Sequence, residues 1–189
     1  LIAEAKPTTI VEVGVHRGLR ARQMIESALL CGAGHVRYIG YDVFDTEGEA
    51  FHEAAFNTKG IPLEEEALRN IGRWDPRLVQ WELIVGDTRK TLHGRHVAAD
   101  FVFIDGDHRC EVIAKDYSAF RGGVFRVGAR MIVLDDYYRP DRKGRIPDLE
   151  KVGCNRLVDG LPARSVEILP SEDRVKEGGV VHLAVVRLG

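Results

Sequence analysis

Asp100-Phe-Val-Phe-Ile-Asp-Gly-Asp-His108 is an apolar run that opens directly into carboxylates and an imidazole. Four consecutive aromatic or aliphatic residues, with no polar alternation, suit a strand buried on both faces, as in a parallel sheet. Such a strand delivers its last residues to the edge of the sheet. Met131-Ile-Val-Leu-Asp-Asp136 repeats the arrangement. Two hydrophobic strands that each end in acid predict one hard-cation site at the carboxyl edge of a parallel sheet.

Working outward, Thr9–Val15, Val36–Val43 and Trp81–Gly86 are further apolar strands, with Asp100–Ile104 and Met131–Leu134 as the fourth and fifth. Helical spacing separates them. Ala21, Met24, Ile25, Ala28 and Leu29 form one helix face, and Ile113, Tyr117 and Phe120 another. Alternating strands and helices imply right-handed crossovers and a sheet covered on both sides. The end differs, because Ser165–Leu169 and Val180–Leu188 are joined by a turn-rich stretch with Gly178-Gly179 and no helical pattern. They should pair as an antiparallel hairpin. The predicted fold is a Rossmann-like, doubly wound, mostly parallel α/β sheet of seven strands, closed by that hairpin, in a single domain over residues 1–189. The connection 45–76 is long for a compact domain, and it carries Phe51, Phe56, Ile61, Leu68, Ile71 and Trp74. It is expected to form one or two helices beside a ligand cleft.

Composition narrows the function classes. A net charge of −2 provides no electrostatic footprint for nucleic acid or an anionic membrane. The basic residues of 139–145 are interrupted by Asp141 and read as a solvated loop. No apolar run is long enough to span a bilayer. Three widely spaced cysteines, Cys31, Cys110 and Cys154, fit a reduced, cytoplasmic compartment better than a disulfide scaffold. The chain starts at Leu1 rather than Met, so a segment ahead of it is left open.

Glu12-Val-Gly-Val-His-Arg-Gly18 lies where the first strand meets the first helix. Gly14 and Gly18 permit a tight turn and close approach of a ligand to the backbone. The helix start presents N–H groups to an anion. A dinucleotide fingerprint would need a middle glycine that is absent, so a small zwitterion carrying a ribose fits better than a diphosphate. His16 lies within this loop and should line the cleft. Asp42, followed by Val43, ends the second strand, where an acid can accept ribose hydroxyls. Asp87 and Thr88 end the third and can meet an adenine ring, although Asp87 is equally suited to capping a helix.

Together these motifs resemble the class I S-adenosylmethionine-dependent methyltransferases, over nearly the whole chain. Phe103–His108, followed by Leu134-Asp-Asp-Tyr137, is similar to the macrocin-type sugar O-methyltransferases and their magnesium-dependent catechol relatives. The resemblance implies S-adenosylmethionine bound by Glu12, Gly14, His16, Gly18, Asp42, Val43, Asp87, Thr88 and Asp105. It also implies Mg²⁺ or another divalent cation on Asp105, Asp135 and Asp136. A homodimer is implied by the resemblance alone. Hard oxygen donors suit such an ion, and unpaired carboxylates would repel one another without it. Asp105 and His108 are the expected catalytic residues, with His108 as general base. The acceptor would be a small hydroxylated molecule, a sugar of a secondary metabolite or a catechol-like phenol. Tyr137, Tyr138 and the Arg139–Arg145 loop follow the metal acids directly and are expected to contact it, as are Asn155 and Arg156 at the start of the next helix. Two other readings stay open. A metal-dependent phosphoester hydrolase would use the acid cluster but leave Glu12–Gly18 and Asp42 without a purpose, and a cofactor-binding module would not turn over.

Overall fold

The computed structural model describes residues 1–55, 60–92, 98–122, 130–174 and 178–188; Phe56 lies outside them. Seven strands form one sheet: β1 (Thr9–Val13), β2 (Val36–Asp42), β3 (Val79–Val85), β4 (Phe101–Ile104), β5 (Met131–Arg139), β6 (Val166–Arg174) and β7 (Val180–Arg187). Their order is β3-β2-β1-β4-β5-β7-β6. The first five strands pair in parallel, and β7 pairs antiparallel with both β5 and β6. Strands β2 and β3 are added on one side of β1, and β4 and β5 on the other, so β1 and β4 flank the switch point where ligands bind in such sheets.

Side-chain alternation explains both layers. On one face Val11, Val13, Ile39, Val102, Ile104, Ile132 and Leu134 are buried. They pack under Ile113, Tyr117 and Phe120 of α6 (Cys110–Gly122) and Val158 of α7 (Asn155–Asp159). On the other face Ile10, Tyr38, Phe101, Phe103, Met131 and Val133 lie with Ala21, Met24, Ile25 and Ala28 of α2 (Leu19–Leu30). The remaining helices are α1 (Ile2–Ala5), α3 (Glu49–Ala54), α4 (Glu64–Ile71) and α5 (Thr88–Thr91). Helices α3 and α4 both come from the long connection. No helix among the described residues is long and apolar enough to cross a membrane.

Strand β5 departs from expectation. It does not stop at Leu134 but runs on to Arg139. Leu134 faces Ala184 and Tyr137 faces His182, so Asp135 and Asp136 together oppose a single residue of β7. This is a β-bulge, and Asp136 takes left-handed backbone with φ 61. Aspartate tolerates that conformation better than most residues. The extra residue breaks the two-residue alternation and re-aims the Asp136 side chain.

Candidate active site

One cavity opens at the carboxyl ends of β1, β2, β3 and β4. Gly14, His16, Asp42, Val43, Asp87, Thr88, Asp105 and His108, all expected from the sequence, line it. Gly14 is where the β1 turn meets the β4 end. Its φ is 88, and a Cβ there would lie 1.9 Å from the Asp105 carbonyl oxygen. Only glycine lets the two strand ends approach this closely. Asp42 is set by two backbone donors: the His16 N–H reaches Oδ2 at 2.7 Å and the Phe44 N–H reaches Oδ1 at 2.8 Å. Asp87 caps α5, accepting the Arg89 N–H at 2.9 Å and pairing with the Arg89 guanidinium. The capping role is therefore realised, on a residue that also faces the cavity.

Two residues of the expected cofactor set do not line this cavity. Glu12 alternates with Val11 and Val13 and so points into the opposite layer, fully buried, with the Tyr38 hydroxyl donating to it. Burial pushes its carboxyl up to about 8, against the lowering effect of the Tyr38 bond and Arg20. Gly18 precedes α2 with φ 71, and its Cα faces the Ala67 backbone of α4 at a distance that leaves a Cβ only 3.1 Å from the carbonyl. Its place is in helix packing.

The acid–imidazole cluster adjoins the cavity through Asp105 and His108, which line it. Donor atoms of Asp105, His108 and Asp136 all lie within 4.8 Å of one another. His108 Nδ1 is 2.5 Å from Asp136 Oδ2, and the Tyr138 hydroxyl donates to Asp136 Oδ1 at 3.0 Å. Asp135 stands beside this group, 4.0 Å from Arg20. Burial, then the charges of Asp105 and Asp136, push its carboxyl up to about 7. Close carboxylates repel one another, and a divalent cation between them would relieve that repulsion; carboxylate oxygens are donors that suit Mg²⁺ or Mn²⁺. The residues thus fit a cation. Gly14 and the Asp42 turn likewise leave room for a ligand at the switch point.

A third segment ties the loop after β4 to the bulge of β5. The Gly153 N–H donates to the His108 carbonyl at 2.9 Å, and the Cys154 N–H to the Asp136 carbonyl at 3.0 Å. Asn155 is buried and brackets Tyr138, accepting its N–H and donating to its carbonyl, each at 2.9 Å. This replaces the expected acceptor contact for Asn155, because a buried amide is satisfied by backbone rather than left for a ligand. Tyr138 is buried as well, and the Tyr137 hydroxyl donates to Asp159 at 3.0 Å. Arg156 pairs with Glu150 at 3.0 Å.

The long connection, expected beside the cleft, contributes Phe51, His52, Ala55 and Pro62 to the cavity wall; of these the sequence reading named only Phe51, and it did not assign Asp107 or Val112 to the site. Asp107, next to His108, is held by Arg109 through its side chain and the Arg109 N–H.

A mostly parallel sheet with a terminal hairpin, and a ligand cavity at the β1/β4 switch point, define a class I methyltransferase architecture. The sequence model of the methyltransferase domain family matches residues 11–137, and the chain belongs to that family. Among solved structures it is similar to an O-methyltransferase from Bacillus cereus in complex with S-adenosylhomocysteine, at 16% identity and TM-score 0.58, over 99% of this chain and 77% of that one. The O-methyltransferase TomG from Streptomyces achromogenes, involved in tomaymycin synthesis, is similar at 16% identity and TM-score 0.51, over 100% and 76%. The N-methyltransferase NodS from Bradyrhizobium japonicum is similar at 14% identity and TM-score 0.57, over 98% and 88%. At these identities the likeness carries the fold, which O- and N-methyltransferases share. No curated protein matches the sequence.

Proposed function

We propose that the chain is an S-adenosylmethionine-dependent, divalent-cation-assisted O-methyltransferase. The acceptor is a hydroxyl of a small molecule, a sugar moiety of a secondary metabolite in first place and a catechol-like phenol in second. The observation that carries this reading is the Asp105–His108–Asp136 cluster, two of whose members, Asp105 and His108, line the same cavity as the Gly14 turn and Asp42. When bound, S-adenosylmethionine supplies an electrophilic methyl group and the cation supplies positive charge that makes a hydroxyl more acidic.

The protein's own residues divide the work. Gly14, His16 and Asp42 receive the donor, with Asp42 accepting ribose hydroxyls, while Asp87 and Thr88 border the base. Asp105 and Asp136 hold the cation, and Asp135 adds a third carboxylate beside them. His108 accepts the proton of the acceptor hydroxyl. With its Nδ1–H directed to Asp136, Nε2 is the nitrogen that would receive that proton, and Asp136 stabilises the imidazolium that results. Orienting the hydroxyl along the line of methyl transfer supplies much of the remaining acceleration.

Calorimetry with S-adenosylhomocysteine, with and without Mg²⁺, followed by methyl-transfer assays on sugar and catechol acceptors, tests the reading. Cofactor binding with Mg²⁺-stimulated transfer to oxygen supports it. Phosphoester hydrolysis without cofactor binding, or tight cofactor binding with no transfer to any acceptor, overturns it.

A further inference from the structure

His52 lies on α3, in the long connection, yet it is buried and its Nε2 is 2.9 Å from the carbonyl oxygen of Phe44. Phe44 is unusual in its own right: it has φ 46 with no exposed surface. A bulky L residue rarely adopts left-handed backbone, because Cβ crowds the carbonyl that follows. Such a conformation persists only where the surroundings over-determine it, and it concentrates at ligand-binding turns. Here three contacts hold it. The ring packs in the layer beneath α2, the N–H donates to Asp42 Oδ1 at 2.8 Å, and the carbonyl accepts from His52.

The consequence falls on Asp42. Its Oδ1 is fixed by the Phe44 N–H and its Oδ2 by the His16 N–H, so the direction of this carboxylate is set by the shape of the turn around it. His52 is the only one of these groups contributed by the long connection. It also lines the cavity itself. The carbonyl can only accept, so the bond requires a proton on Nε2, which an amide N–H could replace and a hydrocarbon could not. The other end of the same helix reaches the opposite loop, where the Ala55 carbonyl accepts the His108 N–H at 3.2 Å.

We propose that His52 is a positioning residue for the methyl donor: by gripping the Phe44 carbonyl it keeps the strained turn after β2 in the shape that aims Asp42 at the donor's ribose. This rests on the donor-binding part of the function proposed above. The long connection therefore serves the donor as well as walling the cleft.

The test is calorimetric titration of the purified chain with S-adenosylhomocysteine, for wild type, His52→Gln and His52→Leu, with Mn²⁺ titration as the control. His52→Leu weakens S-adenosylhomocysteine by about tenfold or more, whereas His52→Gln, which restores an N–H, stays within about threefold. Mn²⁺ affinity is unchanged in both, and in turnover the donor KM rises while the acceptor KM does not. Should His52→Leu fail to fold, His52→Phe, which keeps the ring volume without the N–H, carries the same expectation. Wild-type affinity in the Leu or Phe variant overturns the inference, as does a Gln variant that loses as much as Leu. Wild-type protein that binds no S-adenosylhomocysteine overturns the methyltransferase reading and this inference with it.

Discussion

His108, in the loop after β4, and Asp136, in the bulge of β5, meet with Nδ1 2.5 Å from Oδ2. The pairing sets the imidazole tautomer and ties the proposed base to the proposed cation site. His108→Gln is expected to lower kcat by about 10²–10⁴-fold while sparing S-adenosylhomocysteine affinity. Asp136→Asn is expected to lower Mn²⁺ affinity by at least about tenfold as well as kcat. Steady-state kinetics and Mn²⁺ titration separate the two, and a His108→Gln enzyme with wild-type turnover would remove the base assignment.

Gly14 is held by sterics as well as by backbone conformation. A Cβ there would lie 1.9 Å from the Asp105 carbonyl, whereas Gly32, at a similar φ of 91, has nothing within 4 Å. Gly32→Ala should therefore cost only the left-handed penalty, about 1–2 kcal/mol. Gly14→Ala should cost more than about 4 kcal/mol, because the β1 and β4 ends must separate. Urea denaturation of the two variants measures the difference, and equal losses would contradict the close approach.

Glu12 makes stability depend on pH. Its folded carboxyl titrates at about 8 and its ordinary value is 4.5, so between these the folded chain binds the extra proton. Stability from this group therefore falls as pH rises from about 4.5 to about 8 and levels off above. Glu12→Gln keeps an acceptor for Tyr38 and removes the titration. It should be neutral near pH 4.5 and stabilising by roughly 4–5 kcal/mol at pH 8, raising Tm by about 10 °C or more. Thermal unfolding across that range decides it; a variant whose Tm tracks the wild type at every pH argues against a buried, protonated Glu12.

Asn155 brackets the Tyr138 backbone, and Asn155→Leu strands a buried N–H and a carbonyl together. A loss of about 3 kcal/mol is expected by chemical denaturation. Tyr138 carries a hydroxyl bond to Asp136, so Mn²⁺ affinity should fall in the same variant. A variant altered only in acceptor KM would instead restore Asn155 as an acceptor contact.

The alternation of Val11 and Val13 against Ile10, and of Val102 and Ile104 against Phe101 and Phe103, was legible because a strand repeats every two residues and both faces here are covered. Helices α2 and α6 followed from their 3.6-residue spacing, and the hairpin from its lack of any. Most of the cavity wall was legible too, since strand ends in a parallel sheet share one edge. The burial of Glu12 away from the cavity was not legible, because a motif names a residue without stating which way its side chain points.

What the amino-acid order determined by itself is whatever local pattern encodes: element type, buried faces, a glycine at the β1 turn, and acids gathered at one edge. The rest depends on register between distant strands and on single backbone dihedrals. The bulge opposite β7 turns Asp136 toward His108, the segment 153–155 clamps that bulge to the loop after β4, and the left-handed Phe44 hands its carbonyl to His52. Periodicity is blind to these, because each arises where one residue breaks the repeat and a segment remote in the chain stabilises the break.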